Sequence, residues 1–101
     1  MEQHQSSSKT TTRFRERKPP MYDVIIHNDD ITTYDFVVMI LETIFNKNQD
    51  EAMNLTLHIH ENGEAVVGTY IYDIAQSKAD KATSLARGEG FPLQITINQK
   101  S

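Results

Sequence analysis

Apolar positions along this chain fall into six blocks with two different periods, and the changes of period mark the elements. Met21 to His27 is a β-branched run, Met-Tyr-Asp-Val-Ile-Ile-His, halted by Asn28-Asp29-Asp30, which predicts a strand closed by a turn. From Phe36 the spacing becomes helical. Phe36, Val37, Ile40, Leu41, Ile44 and Phe45 cover a stripe broad enough to be contacted on more than one side, so this is the expected central helix, from about Thr33 to Asn46. Thr32, three residues before Asp35, is placed to cap it, with the Asp35 carboxylate in the positive first turn.

Asn48 followed by Glu51 repeats the start signal, and Asn62-Gly63 offers a left-handed stop. Ala52, Leu55 and Ile59 fall on one face between them, giving a second helix from Gln49 to Glu61. Gly63 to Tyr70 carries Ala65, Val66, Val67 and Thr69, a second strand interrupted by Gly68. Ile71, Ile74, Ala75, Ala79, Ala82, Leu85 and Ala86 then recur at three- and four-residue steps until Gly88 and Gly90. The small residues of this third helix permit close packing, but no Ser, Thr, Asn or Asp precedes Tyr72 closely enough to be an obvious cap. After Phe91-Pro92 the alternation Leu93, Ile95, Ile97 predicts a third strand with one buried face.

The order strand, helix, helix, strand, helix, strand contains no internal repeat. A small sheet with helices on one face satisfies it, leaving a groove between the first two helices and the Asn28-Asp29-Asp30 turn. Met1 to Pro20, rich in Ser, Thr, Gln and charge and ending in Lys18-Pro19-Pro20, reads as a disordered extension with a stiff hinge, so the folded domain is 21–101. Roughly eighty residues build one modest core and favour a surface pocket over a cleft between lobes.

Composition narrows the function classes. A formal net charge of −4 lacks the basic face that phosphate neutralisation needs, which excludes a nucleic-acid partner. Arg13, Arg15, Arg17 and Lys18 cluster in the extension, where they are either a solvated tail or a contact for an acidic partner. With no cysteine there is no disulfide, thiolate metal site or thiol nucleophile. No apolar run approaches the roughly twenty residues that span a bilayer, and the start has no signal-peptide character. A cytosolic protein without membrane contact is expected.

The densest polar group is His27-Asn28-Asp29-Asp30, with Asp23 upstream and His58 and His60 further on. Asn and Asp commonly end a strand by bonding their own backbone, which is the structural reading. As metal ligands, His58 and His60 are poorly spaced, since residues two apart on a helix point about 200° away from each other. Asp29 and Asp30, neighbours in one turn, lack the different environments that acid and base roles require. As a binding site, carboxylate and amide oxygens are acceptors suited to an ammonium group. An apolar depression beside them would fit a free α-amino group carrying a large hydrophobic side chain.

Lys18-Pro19-Pro20-Met21-Tyr22, His27-Asn28-Asp29-Asp30-Ile31-Thr32 and Phe36-Val37-Val38 together resemble the ClpS family, adaptors of the ClpA–ClpP protease. His60 before Asn62-Gly63, Ala65, Gly68, Ile74-Ala75 with Lys78, Ala86-Arg87 and Pro92-Leu93 extend the likeness over about Lys18 to Ile97. The resemblance implies an α+β fold, a three-stranded antiparallel sheet with three helices packed on one face. It also implies a monomeric, non-enzymatic, cofactor-free adaptor that binds proteins with a bulky hydrophobic first residue and delivers them to the ATPase. Carried onto this chain, Asn28, Asp29 and His60 would hold the α-amino group, and Asp30 and Thr32 would shape the entrance. Val37, Ile59 and Leu93 would wall the pocket together with Tyr34 and Thr56, two positions where the family commonly has Met. Asp73 and Lys78, early in the third helix, would contact the amino-terminal domain of a ClpA-type ATPase, and the extension would serve substrate handover rather than binding. Two rival classes are a general protein-interaction domain like the carboxyl-terminal domain of the ribosomal stalk protein, and a small metal-dependent hydrolase using the Asp and His residues.

Overall fold

The computed structural model describes residues 18–101. Expectations for the extension that fall on residues 1–17 lie outside the described residues, while Lys18 to Pro20 is exposed and without regular structure. Strand β1 (Met21–His27) lies at the centre of a three-stranded sheet, between β2 (Glu64–Ile71) and β3 (Gln94–Gln99), and both pairings are antiparallel. The central place follows from the composition of β1: Val24 and Ile26 point into the core and are fully buried, and even Ile25 on the opposite face is 8% exposed.

Helices α1 (Tyr34–Thr43), α2 (Gln49–Asn62) and α3 (Tyr72–Gly88) cover one face of the sheet. All six apolar residues expected from the first helical stripe are buried. The cap and the end of α1 differ from expectation. Thr33, not Thr32, is the N-cap, accepting from the Phe36 N–H at 3.2 Å, because the Thr32 hydroxyl is already given to Asp29. The helix stops at Thr43 rather than Asn46, whose φ of 58° lies in the left-handed region that Asn tolerates. Ile44 and Phe45 continue into the core beyond the last helical turn.

Helix α2 begins on a full capping box: Asn48 Oδ1 accepts from the Glu51 N–H at 2.8 Å, and Glu51 Oε1 accepts from the Asn48 N–H at 3.0 Å. It ends at Gly63 with φ 89°, a conformation that costs a side-chain-bearing residue more than glycine. Helix α3 starts at Ile71 without a side-chain cap. Its buried seam is alanine alone, Ala75, Ala79, Ala82 and Ala86, whereas Ile71, Ile74 and Leu85, expected on the same stripe, are 42–45% exposed. Close approach through the alanines leaves the longer side chains flanking the contact.

The interruption of β2 at Gly68 is a bulge. Val24 faces Gly68 and Ile25 faces Val66, so Val67 is the extra residue, and it turns into the core at 1% exposed. A Cβ on Gly68 would press on the Tyr70 ring, within 2.7 Å of two of its carbons. Leu93, expected to open β3, instead lies just before it and is buried in the core, while Ile95 and Ile97 pack against that core from the strand. The other sheet face is polar and cross-linked. Thr69 donates to Asp23 at 2.6 Å, and His27 bridges Thr96 and Glu64 on the two neighbouring strands. Among the described residues no helix is long and apolar enough to cross a membrane.

Candidate functional site

Two backbone hydrogen bonds place the end of β1 against the end of α2. Asn28 N–H donates to the Gly63 carbonyl at 2.8 Å, and Gly63 N–H donates to Ile59 at 2.8 Å. The left-handed stop of α2 thereby holds its last turn, with Ile59 and His60, beside the Asn28-Asp29-Asp30 turn. Asp29 folds that turn over. One carboxylate oxygen accepts from the Ile31 and Thr32 N–H groups at 2.8 and 2.7 Å, and the other accepts from the Thr32 hydroxyl at 2.7 Å. The backbone-bonding reading of the Asp is thus correct for Asp29, and it coexists with a place at the site.

Between the turn, α1 and α2 lies a cavity of about 250 Å³. Its floor is Val37, Thr56 and Ile59, all buried at 6% exposed or less, and Asn28, Asp29, Asp30, Thr32, Thr33, Tyr34 and His60 complete the lining. Tyr34 reaches across from α1 to α2, where its hydroxyl approaches the Met53 carbonyl at 3.4 Å. Thr56 donates its hydroxyl proton to the Ala52 carbonyl at 2.7 Å. Burial alone would raise the Asp29 carboxyl, but the Thr32 backbone and hydroxyl bonds, the Ile31 bond and the positive charge of Arg87 together hold it below the ordinary value of 3.8. The site therefore presents acceptors and negative charge at its rim above an apolar floor, the complement of an ammonium attached to a hydrophobic group.

Nine of the ten residues expected at the pocket line this one cavity. The tenth does not: Leu93 is 1% exposed inside the core, and its carbonyl accepts from Arg87 Nη1 at 2.8 Å. Asp73 is exposed in the first turn of α3. Lys78, given the same docking role by the resemblance, is half-buried, donating to the Ile44 carbonyl at 2.6 Å with its ammonium 5.3 Å from the Tyr70 ring centroid. His27 sits on the polar sheet face, and His58 approaches Asn62 on the outer side of α2, so neither joins His60. Among the described residues no group of three or more His, Asp or Glu side chains could hold a metal ion.

Thr33 and Arg87 were not singled out as site residues. Thr33 follows from the Asp29 turn, which takes Thr32 out of the capping role. Arg87 is distant in sequence and is brought close by the packing of α3, so no local signal marks it; its Nη1 also donates to the Phe91 carbonyl at 2.9 Å.

Comparison with known proteins gives a consistent picture. Residues 17–96 match the family described as ATP-dependent Clp protease adaptor protein ClpS. The chain is 48% identical over 81 residues to the ATP-dependent Clp protease adapter protein ClpS of Nautilia profundicola, covering 80% of this chain and 84% of that one. It is 40% identical over 94 residues to the protein of that name from Caulobacter vibrioides strain NA1000, covering 93% and 86%. Among solved structures, Agrobacterium tumefaciens ClpS2 bound to L-phenylalaninamide superposes with a TM-score of 0.80 at 36% identity, over 82% of this chain and all of that one.

Proposed function

The chain belongs to the ClpS family of Clp protease adaptors, and from that premise we propose that it binds N-degrons, proteins with a bulky hydrophobic first residue, and delivers them to a ClpA-type ATPase. The observation that carries this reading is one cavity in which Asn28, Asp29 and His60 stand over a floor of Val37, Thr56 and Ile59. Asn28, Asp29 and His60 accept the α-ammonium. Asp30, Thr32 and Tyr34 border the entrance, and the floor takes the side chain. The phenylalaninamide held by Agrobacterium tumefaciens ClpS2 has this chemistry, a free amine beside an apolar ring. The protein acts as a cytoplasmic monomer and catalyses nothing itself.

Delivery proceeds through the opposite surface, where Asp73 is the exposed contact for the amino-terminal domain of the ATPase, and through the extension ending at Pro20. A truncation beginning at Lys18 should bind peptide normally yet fail to stimulate degradation by the ATPase–protease complex, and equal delivery by the truncated form would refute a role for the extension.

Burying one large side chain contributes about 1.5–3 kcal/mol, and each hydrogen bond to a charged ammonium about 1.5–3 kcal/mol. Less the ordering costs, the affinity is on the order of micromolar. The test is a titration of labelled peptides differing only at the first residue. Peptides beginning with Phe, Leu, Tyr or Trp should bind, and acetylation of the amine should weaken them at least tenfold, because the acceptors then face a group that cannot satisfy them. Comparable affinity for Phe-, acetyl-Phe- and Ala-initiated peptides would sink the adaptor reading.

A further inference from the structure

Thr56 is the one polar side chain buried among the described residues, at 4% exposed, and it lies in the floor of the cavity between apolar Val37 and Ile59. Its hydroxyl proton is committed to the Ala52 carbonyl at 2.7 Å, as expected for a threonine bonded back along its own helix. Having given its proton to Ala52, the hydroxyl oxygen keeps lone pairs that can accept from a donor. An apolar ring end gains nothing from that oxygen, and a side chain ending in an acceptor is opposed by it.

We propose that Thr56 makes this pocket selective for a first residue whose aromatic side chain ends in a hydrogen-bond donor, tyrosine above phenylalanine and leucine, with Thr56 as the specificity-determining residue. The inference rests on the adaptor reading and refines its substrate class. The cavity, about 250 Å³ and smaller than sites for drug-sized ligands, admits one such side chain. Tyrosine and phenylalanine bury nearly the same apolar ring, so the hydroxyl alone separates them. Part of its gain is offset by the water it leaves, and a net neutral hydrogen bond corresponds to roughly a three- to tenfold difference in affinity.

The experiment titrates the full chain with peptides identical except for a first residue of Tyr, O-methyl-Tyr, Phe or acetyl-Phe, against the wild type, Thr56→Val and Thr56→Ser. Valine keeps the shape without the oxygen, and serine keeps the oxygen. The expected result is three- to tenfold tighter binding of the Tyr peptide than of the Phe peptide by the wild type, with O-methyl-Tyr losing that advantage. Thr56→Ser preserves the ratio. Thr56→Val brings it to about one, and thermal unfolding of the variant beside the wild type reports that the domain is still formed. A wild-type Tyr/Phe ratio of one or less, or a ratio unchanged in Thr56→Val, overturns the assignment of Thr56 while leaving the adaptor reading in place. Equal binding of Phe and acetyl-Phe overturns both. Should Thr56→Val fail to fold, the wild-type comparison of Tyr, O-methyl-Tyr and Phe decides by itself.

Discussion

The Lys78 ammonium donates to the main-chain carbonyl of Ile44 at 2.6 Å and so ties α3 to the end of α1. No basic residue lies in the last turn of α1 itself, and Lys78 supplies that charge from another helix. Its ammonium also faces the Phe45 and Tyr70 rings, 6.0 and 5.3 Å from their centroids. A lysine so engaged is a structural tie before it is a docking contact.

Lys78→Met should therefore destabilise the domain by about 1.5–3 kcal/mol, the worth of a hydrogen bond to a charged group, read as a lower urea midpoint at unchanged slope. Asp73→Lys, exposed in the first turn of α3, should cost at most about 1 kcal/mol through the helix dipole while weakening ATPase binding. Equal stability of Lys78→Met and the wild type would show that the tie contributes nothing.

Asp29 gives a signed pH dependence. Its folded-state carboxyl titrates below the ordinary value of 3.8, so its contribution is complete above the unfolded-state value and disappears as the pH falls through the lower folded one. Asp29→Asn, which keeps an acceptor but loses the partner of the Thr32 hydroxyl, should be less stable by roughly 1 kcal/mol at neutral pH. That margin should shrink once the pH is below about 4. Denaturant midpoints of both proteins across this range check it, and a margin that grows on acidification would reverse the sign.

His60 separates binding from stability. It is exposed at the rim, and its neighbour Ile59 carries the packing at 3% exposed. His60→Ala should lower affinity for a Phe-initiated peptide about tenfold, the loss of one charge-assisted bond, while moving stability within about 0.5 kcal/mol. Peptide titration and thermal unfolding of the same preparation distinguish this from a folding defect.

Tyr34 spans the mouth with its hydroxyl near the Met53 carbonyl. On the proposed binding mode the Cβ branch of a β-branched first residue meets this ring, so Ile- and Val-initiated peptides should bind weakly. Tyr34→Ala should improve them several-fold relative to Phe, and an unaltered Ile/Phe ratio would remove Tyr34 from first-residue selection.

Periodicity read the fold well wherever one face of an element is buried. The six residues of the first helical stripe, the Asn48/Glu51 box and the Gly63 stop all hold because each is a local pattern with a local cause. What the sequence could not convey were competitions between residues. Thr32 and Thr33 are equally good caps in isolation, and only the three bonds made to Asp29 decide between them. Lys78 looks like any solvent-facing helix lysine until α1 is packed beside it. Leu93 has the alternation of a strand residue but sinks into the core, because the segment holding it to Arg87 is set by tertiary contacts. The groove between the first two helices and the turn follows from the order of elements, whereas its walls are marked only by the family resemblance, since Val37 and Ile59 are otherwise indistinguishable from ordinary core.

Val37 and Ile59 belong to the hydrophobic core and to the cavity floor at once, whereas Tyr34 and Asp30 touch only the rim. Evolutionary routes to a new preference are therefore unequal. A change at the two shared positions risks a cavity penalty of about 1 kcal/mol for each methylene deleted, so altered taste there comes with a weaker fold. Positions outside the hydrophobic core, Tyr34 and Asp30 at the rim and Thr56 in the floor, can drift at smaller thermodynamic risk, and members of this lineage are expected to diversify through them sooner than through Val37 and Ile59.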